Sequence, residues 1–257
     1  MKDRQVILSK RLQMLAEMVT QGNTVADVGC DHAFLSIYLV QKGISPRVLA
    51  MDVRKGPLAA AREHIESSGL NTYIETRLSD GMEKLEIGEA ETLVCAGMGG
   101  RLMERILREQ MEKARSMREM ILQPQSELKE FRMFLRREGF RILIEDAVYE
   151  EGKYYFAMKA AYAGDTKSGG QSRADGKHGE SVSSGQTDLQ SIYDEYGELL
   201  LRGKHPVLRQ YLQYRRETAG RISEKLEAER TGRAAERLSE VRQELTEIER
   251  ASGWFEA

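Results

Sequence analysis

The stretch Val25-Ala-Asp-Val-Gly-Cys-Asp-His-Ala-Phe-Leu35 decides the fold of this chain. Residues 24–28 form an apolar run that is typical of a buried strand, Gly29 ends that run, and residues 33–40 have a helical pattern. In parallel α/β domains, a strand that breaks at a glycine and leads into a helix presents a nucleotide-like ligand to the helix N-terminus. The stretch therefore predicts a ligand site of that kind.

The same pattern singles out two acidic residues as candidates for ligand contact. Asp27 lies near the end of the first predicted strand, and Asp52 closes the next one, residues 47–52. Asp52 falls about 20 residues after the glycine turn, where an open α/β fold places its acceptor for ribose hydroxyls. The local pattern Asp-x-Gly-x-Asp-His differs from Gly-x-Gly-x-x-Gly, which makes a nicotinamide-dependent dehydrogenase a poor alternative.

Strands and helices alternate along the first part of the chain. Strands are predicted at residues 24–28, 47–51, 73–78, 92–96, 119–122, 141–148 and 154–159, and helices at 9–19, 33–42, 57–68, 101–112 and 126–138. Such alternation predicts a mostly parallel sheet with right-handed crossovers. The last two strands are joined at residues 150–153 without a helix, so we expect an antiparallel hairpin at the sheet edge.

The composition excludes several classes of protein. The chain has 257 residues and a net charge of −2, so one large or two small domains are expected and a nucleic-acid partner would need a local basic patch. Cys30 and Cys95 lie at the ends of predicted buried strands, which favours a reduced, cytoplasmic protein. The four histidines are scattered, so no metal site is expected. No stretch predicts a signal peptide or a membrane span.

The composition changes after the predicted hairpin. Residues 164–190 are dominated by Gly, Ser, Asp, Lys and Gln, which predicts a flexible linker between a domain at 1–163 and a helical domain at 191–257. In the latter, apolar residues recur at steps of three and four on both sides of Thr231-Gly232. This spacing predicts an antiparallel helical hairpin or coiled coil.

Five short stretches carry a resemblance to a known family. They are Leu8-Ser-Lys-Arg-Leu12, Asp27-Val-Gly-Cys-Asp-His-Ala33, Asp80-Gly81, Ala96-Gly-Met-Gly-Gly100 and Leu122-Gln-Pro124. Together they resemble the bacterial tRNA (adenine 22-N1)-methyltransferase family. The resemblance implies a Rossmann-like, seven-stranded class I methyltransferase domain, S-adenosylmethionine as cofactor and tRNA as partner. The C-terminal part matches more loosely, as a helical extension.

The resemblance also implies which residues bind the cofactor. These are Arg11, Asp27, Gly29, Asp52, Asp80, Gly81, Gly97, Met98 and Gly99. Arg11 could pair with the carboxylate of the methionine portion, because a guanidinium suits a carboxylate in two hydrogen bonds, although a solvated arginine is the alternative. Asp80-Gly81 could hold the adenine amine or simply form a turn.

Two residues, Asp31 and His32, are the predicted catalytic groups. Asp31 could orient the amine of the target adenine or stabilise the positive charge that forms on it, but it could equally cap the next helix. His32 could be an ordinary exposed histidine. Substrate contacts are expected at Gly100, Gln123, Pro124, Arg136 and Arg216, among wider sets of basic residues at 129–137 and 209–221.

Two other functions fit the same fold. One is methylation of a small molecule, which gives no reason for a long helical extension. The other is a non-catalytic RNA-binding protein, which the intact acids and glycines argue against. We expect tRNA as the partner, no membrane and no metal, and a monomer is favoured.

Overall fold

The computed structural model describes residues 5–164, 184–229 and 232–256. The chain divides into two compact units, Met1–Arg173 and Ala174–Ala257, called here the sheet unit and the helical unit. The predicted linker, residues 164–190, falls mostly on residues 165–183, outside the described residues. Its predicted end is too late, because a helix already begins at Ser184 and is held by the buried side chains of Ile192 and Tyr193.

Seven strands form one mixed sheet in the sheet unit, which confirms the predicted fold class. They are β1 (Val25–Val28), β2 (Val48–Asp52), β3 (Ile74–Leu78), β4 (Thr92–Met98), β5 (Glu119–Pro124), β6 (Phe140–Glu150) and β7 (Lys153–Tyr162). Their order is β3-β2-β1-β4-β5-β7-β6. The first five are parallel, and β7 pairs antiparallel with both β5 and β6. The predicted hairpin is therefore present, at the β6 edge.

Among the described residues, six helices accompany the sheet. They are α1 (Lys10–Met18), α2 (Phe34–Gln41), α3 (Lys55–Ser67), α4 (Gly100–Glu109), α5 (Met111–Ser116) and α6 (Leu128–Arg137). The single helix predicted at 101–112 is wrong, because Gln110 leaves the helical conformation with φ −126° and ψ 41°. The break lets α5 start in a new direction and bury Ala114.

The core lies on both faces of the sheet. One cluster contains Ala26 and Val28 of β1 together with α4 and α6, and the other contains Val25 with α1, α2 and α3. All four residues of β1 are buried. A strand covered on both faces reads as a continuous apolar run, which is why the opening stretch predicted it correctly.

In the part of the helical unit that the structure describes there are four helices, α7 (Ser184–Tyr196), α8 (Glu198–Arg202), α9 (Pro206–Ala228) and α10 (Gly232–Ser252), and a 3-10 turn at Gly253–Phe255. Helix α9 begins at Pro206, a favourable first position for proline. Ion pairs Arg215–Glu244 and Arg242–Glu227 join α9 to α10 as an antiparallel hairpin. Coiled-coil packing of this hairpin stays a prediction. None of the helices within the described residues is long and apolar enough to span a bilayer.

Candidate active site

A cavity of about 530 Å³ lies in the sheet unit at the carboxyl ends of β1, β2 and β4. The strand order reverses between β1 and β4, and open α/β sheets bind their ligands at such a switch point. The cavity brings together most of the predicted site residues: Arg11, Asp27, Gly29, Asp31, His32, Asp52, Asp80, Gly81, Gly97 and Met98. Residues far apart in the sequence therefore form one pocket.

Asp27 lies on the floor of the pocket. Its side chain is buried, and its Oδ2 accepts a hydrogen bond from the Ser36 hydroxyl of α2 at 2.6 Å. Burial raises the pKa of Asp27 to about 6, and the nearby Asp52 adds to the rise, while the Ser36 hydrogen bond opposes it. A buried carboxylate of this kind favours a cationic group beside it.

Asp52 is the second acid of the floor and is also buried. Its Oδ1 accepts the backbone N–H of Arg54 at 2.8 Å, and its Oδ2 accepts that of Asp31 at 3.3 Å. The carboxylate thus ties the loop after β1 to the loop after β2. A carboxylate offers about four lone-pair directions, so acceptor capacity remains for a ligand.

Gly29 lies in the turn after β1, beside the side chain of Met98 of β4. Its φ is +79°, and a Cβ at this position would lie 2.2 Å from Cε of Met98. A side chain would therefore be strained and would collide with the methionine. The positive φ is what favours glycine here, since the end of the flexible Met98 side chain could move aside for a Cβ.

The two cysteines near the floor are not nucleophiles. Burial raises the pKa of the Cys95 thiol to about 12 and raises that of Cys30 further. Because the thiolate is the reactive form, both side chains stay inert at neutral pH.

Arg11 is held at one side of the pocket by two other residues. The carboxylate of Glu150 accepts the backbone N–H groups of Lys10 and Arg11 at 2.7 and 3.2 Å, which fixes the start of α1. The guanidinium donates to Gln123 Oε1 at 3.2 Å. Gln123 was predicted to line the pocket, but it is fully buried and lies behind Arg11 as its hydrogen-bond acceptor.

Asp31 and His32 lie at the mouth of the pocket. Asp31 has φ +50° and is largely exposed, and its carboxylate is 3.8 Å from both His32 Nε2 and a terminal guanidinium nitrogen of Arg54. The alternative role as a helix cap is wrong, because α2 begins at Phe34 and its N-cap, Ala33, provides no side-chain hydrogen bond. The carboxylate is thus available to a ligand.

Asp80 lies on the opposite rim and is paired with Arg105 of α4 at 3.2 Å. Its neighbour Gly81 packs so closely on Ile106 that a Cβ there would lie 2.8 Å from Cγ2. Several lining residues were missed by the sequence reading, among them Phe34, Arg54, Leu102, Arg105 and Gln125. Two of them were detectable, since Leu102 and Arg105 lie one helical turn apart directly after the glycine cluster.

The remaining predicted residues lie outside the pocket lining. Gly99 is the N-cap of α4, and Gly100 packs against the loop after β5, where a Cβ would lie 2.5 Å from the Ser126 carbonyl oxygen. Pro124 ends β5, and Arg136 is exposed on α6. Arg216 belongs to α9 of the helical unit.

Arg216 lines a groove of about 830 Å³ within the helical unit. Arg209 and Arg221, which the sequence also marked as candidates, line the same groove, together with Glu217 and Glu224. The groove is therefore mixed in charge. Across the described parts of both units, no group of three or more His, Cys, Asp or Glu residues is arranged to hold a metal ion.

The sheet order, the switch-point pocket and the acid at the end of β2 define a Rossmann-like methyltransferase fold with a site for a nucleoside-type ligand. The chain belongs to the methyltransferase-domain family, whose model matches residues 8–158.

Similar proteins include named RNA methyltransferases. The chain is 38% identical over 158 residues to a tRNA (adenine(22)-N(1))-methyltransferase of Bacillus subtilis, a match that spans 62% of this chain and 66% of that protein. The structure of the B. subtilis m1A22 tRNA methyltransferase TrmK superposes with a TM-score of 0.77 at 28% identity, covering 96% of this chain and 100% of that one. A Streptococcus pneumoniae protein in complex with S-adenosyl-L-methionine superposes with a TM-score of 0.75 at 30% identity over the same shares.

Proposed function

We propose that this protein is an S-adenosylmethionine-dependent methyltransferase that methylates N1 of an adenine in tRNA, adenine 22. The observation that carries the proposal is the pocket at the β1–β4 switch point, where Asp27, Asp52 and Arg11 converge. The printed activity of the B. subtilis relative supports the choice of substrate and position. A tRNA substrate implies a cytoplasmic enzyme, and we infer that it acts as a monomer.

The pocket residues fit S-adenosylmethionine in their chemistry. Asp52 keeps acceptor capacity after its two backbone contacts and would accept the ribose hydroxyls. Arg11 would hold the carboxylate of the methionine portion, since its guanidinium already lies 3.5 Å from the position of a Cβ on Gly97, so that glycine keeps the space beside it open. Ionised Asp27 complements a positive charge. The volume is that of a small-molecule site.

When bound, S-adenosylmethionine supplies a methyl carbon that passes to a nitrogen as its bond to the positively charged sulfur breaks. Adenine N1 already has a lone pair, so the chain need not provide a strong base. The residues around the pocket would accelerate the reaction mainly by holding N1 in line with the methyl carbon. This explains why the site is rich in binding groups and has no activated nucleophile.

Asp31 and His32 are the proposed catalytic groups. The carboxylate of Asp31 lies at the pocket mouth and would accept a hydrogen bond from the exocyclic amine of the adenine. It would also stabilise the positive charge that the ring gains on N1 methylation, because opposite charges attract. His32, which neighbours Asp31, would border the same ring.

The RNA must also be held outside the pocket. An adenine in a paired arm has to leave its helix before its N1 can meet the methyl carbon, and this extrusion costs a few kcal/mol. Arg136 and Arg216 are exposed or groove-lining cations and are proposed to bind phosphates. The tight packing of Gly100 and the end of β5 at Pro124 would shape the surface that the flat base meets.

Methyl transfer from labelled S-adenosylmethionine to unmodified bulk tRNA, followed by nucleoside analysis, tests the proposal. We expect labelled 1-methyladenosine. An Asp52→Ala variant serves as the cofactor-binding control, once thermal melting shows that it is folded, because it removes the proposed ribose acceptor together with the two backbone hydrogen bonds of Asp52. Labelled product other than 1-methyladenosine, or cofactor binding without transfer to tRNA, would refute the proposed substrate.

A further inference from the structure

Three aromatic rings lie together at the mouth of the pocket. Phe34, the first residue of α2, stacks on His64 of α3 with ring centroids 4.9 Å apart and planes inclined by 25°. His32 is tilted against both, at 5.9 Å from Phe34 and 5.7 Å from His64. We call these three side chains the aromatic platform.

The platform is fixed in place from behind. Nδ1 of His64 lies 3.1 Å from the carbonyl oxygen of His32. A carbonyl can only accept, so Nδ1 carries the proton and donates it. The loop after β1 and helix α3 are joined by this bond, and the Phe34 ring is backed by an imidazole that cannot turn freely.

The platform is nevertheless open to solvent on the pocket side. Phe34 and His32 line the pocket, and Phe34 remains 42% exposed. Single exposed apolar side chains are common and need no explanation, but a preformed stack beside a ligand pocket is a different feature. A flat aromatic face at that place can take a flat ligand.

The charges around the platform favour a nucleic-acid base as that ligand. Arg54, also at the pocket, is two-thirds exposed and lies 3.8 Å from the Asp31 carboxylate. A backbone phosphate of the RNA would pair with this guanidinium. The extruded base would stack on the ring of Phe34 and donate a hydrogen bond to the Asp31 carboxylate. Bases stack on aromatic side chains with little regard to sequence and are read at their edges by polar groups.

We propose that Phe34 is a substrate-binding residue on which the extruded adenine stacks, with His64 as the positioning residue that holds its ring. This inference rests on the proposed function and adds to it the surface that orients the base. Stacking on Phe34 would fix the plane of the adenine, and Asp31 would then fix its rotation within that plane.

The test is the kinetics of full-length variants with tRNA, together with cofactor affinity and thermal melting. Phe34→Leu keeps an apolar side chain but removes the ring, and we expect kcat/KM for tRNA to fall about 5-fold or more, while the Kd of the cofactor is unchanged. Phe34→Tyr, which keeps an aromatic ring, should have a kcat/KM for tRNA close to that of the wild type. Tyr73→Leu, at another exposed aromatic residue that does not line the pocket, is the matched control and should act like the wild type.

Two substitutions of His64 separate ring stacking from hydrogen bonding. His64→Gln keeps a hydrogen-bond donor but loses the ring and should lower kcat/KM for tRNA. His64→Phe keeps the stack but loses the hydrogen bond to His32, and it should lower kcat/KM by less than His64→Gln does.

The outcomes separate this inference from the proposed function. If the wild type methylates tRNA and Phe34→Leu has the same kcat/KM as the wild type, the stacking contact is refuted and the proposed function stands. A raised cofactor Kd in Phe34→Leu would assign the ring to the cofactor and also overturn it. Absence of wild-type transfer to tRNA would overturn both.

Discussion

The floor and the rim of the pocket are built in opposite ways. On the floor, Asp27 and Asp52 are almost fully buried, and they accept hydrogen bonds from the Ser36 hydroxyl of α2 and from the backbone N–H groups of Asp31 and Arg54. On the rim, Asp31 and Phe34 are largely exposed and belong to a loop and the first turn of a helix. The difference indicates that the floor is rigid and fits one cofactor, while the rim is accessible to a large substrate.

The floor should therefore control cofactor affinity most strongly. Asp52→Ala removes the proposed acceptor of both ribose hydroxyls, and we expect the Kd of S-adenosylmethionine, measured by calorimetry, to rise about 100-fold, since hydrogen bonds to a charged group contribute about 1.5–3 kcal/mol each.

Thermal melting of Asp52→Asn, which keeps the shape of the side chain, controls for loss of the two backbone contacts. A folded Asp52→Ala protein with wild-type affinity would show that this acid does not bind the cofactor.

The rim should control turnover instead. Asp31→Ala is expected to lower kcat with tRNA about 10- to 100-fold while the cofactor Kd stays constant, because the carboxylate acts on charge that develops during transfer. Asp31→Asn separates the two proposed effects: it keeps a hydrogen-bond acceptor for the amine but loses the charge. Full turnover by Asp31→Ala, with normal cofactor binding, would remove Asp31 from the chemistry.

Asp27 on the floor predicts a pH dependence of both stability and cofactor affinity. Its pKa is raised from 3.8 to about 6, so between these values the folded protein binds the proton more tightly than the unfolded chain does. The contribution of Asp27 to the free energy of unfolding is therefore present at low pH and is lost as the pH rises through about 6.

Asp27→Asn should not lose unfolding free energy as the pH rises through about 6, because its side chain does not ionise. At pH 8 we expect the variant to be more stable than the wild type by at most about 3 kcal/mol, with the difference vanishing as the pH falls to about 4, in denaturant titrations. Cofactor affinity should change in the other direction. It should rise with pH through about 6 in the wild type, as Asp27 ionises, and stay flat in Asp27→Asn. An equal pH profile in both proteins would contradict the assignment.

The smallest effect is expected in the helical unit. Arg216→Ala removes one cation from the groove on α9 and should weaken tRNA binding by only a few-fold, with a smaller salt dependence and an unchanged cofactor Kd. Arg237→Ala, an arginine of α10 that is already paired with Glu240, is the matched control. Equal tRNA affinity of both variants across salt concentrations would exclude Arg216 from the RNA contact.

The floor was predictable from the sequence, for a physical reason. Asp27 and Asp52 end strands whose neighbours are apolar on both faces, so the acids had to emerge at the same sheet edge. The helical hairpin was predictable in the same way from the spacing of apolar residues on α9 and α10.

The rim was only partly predictable, because it depends on backbone turns and tertiary contacts. Asp31 and Ala33 both have positive φ values, and this conformation turns Phe34 toward His64 of a helix thirty residues later in the chain. Gln123 belongs to a strand that is buried on both faces, so the sequence could not tell that its amide serves Arg11 and not the pocket. The break at Gln110 was likewise hidden within a continuous helical pattern.

Methylation of two matched tRNA transcripts tests the central claim most directly. One transcript carries adenine at position 22 and the other guanine, and each is incubated with the wild-type protein and labelled S-adenosylmethionine. From the pocket and the activity named for the B. subtilis relative, we predict one methyl group per adenine-22 transcript, recovered as 1-methyladenosine, and none on the guanine-22 transcript. Equal incorporation into both, or none into either, would contradict it.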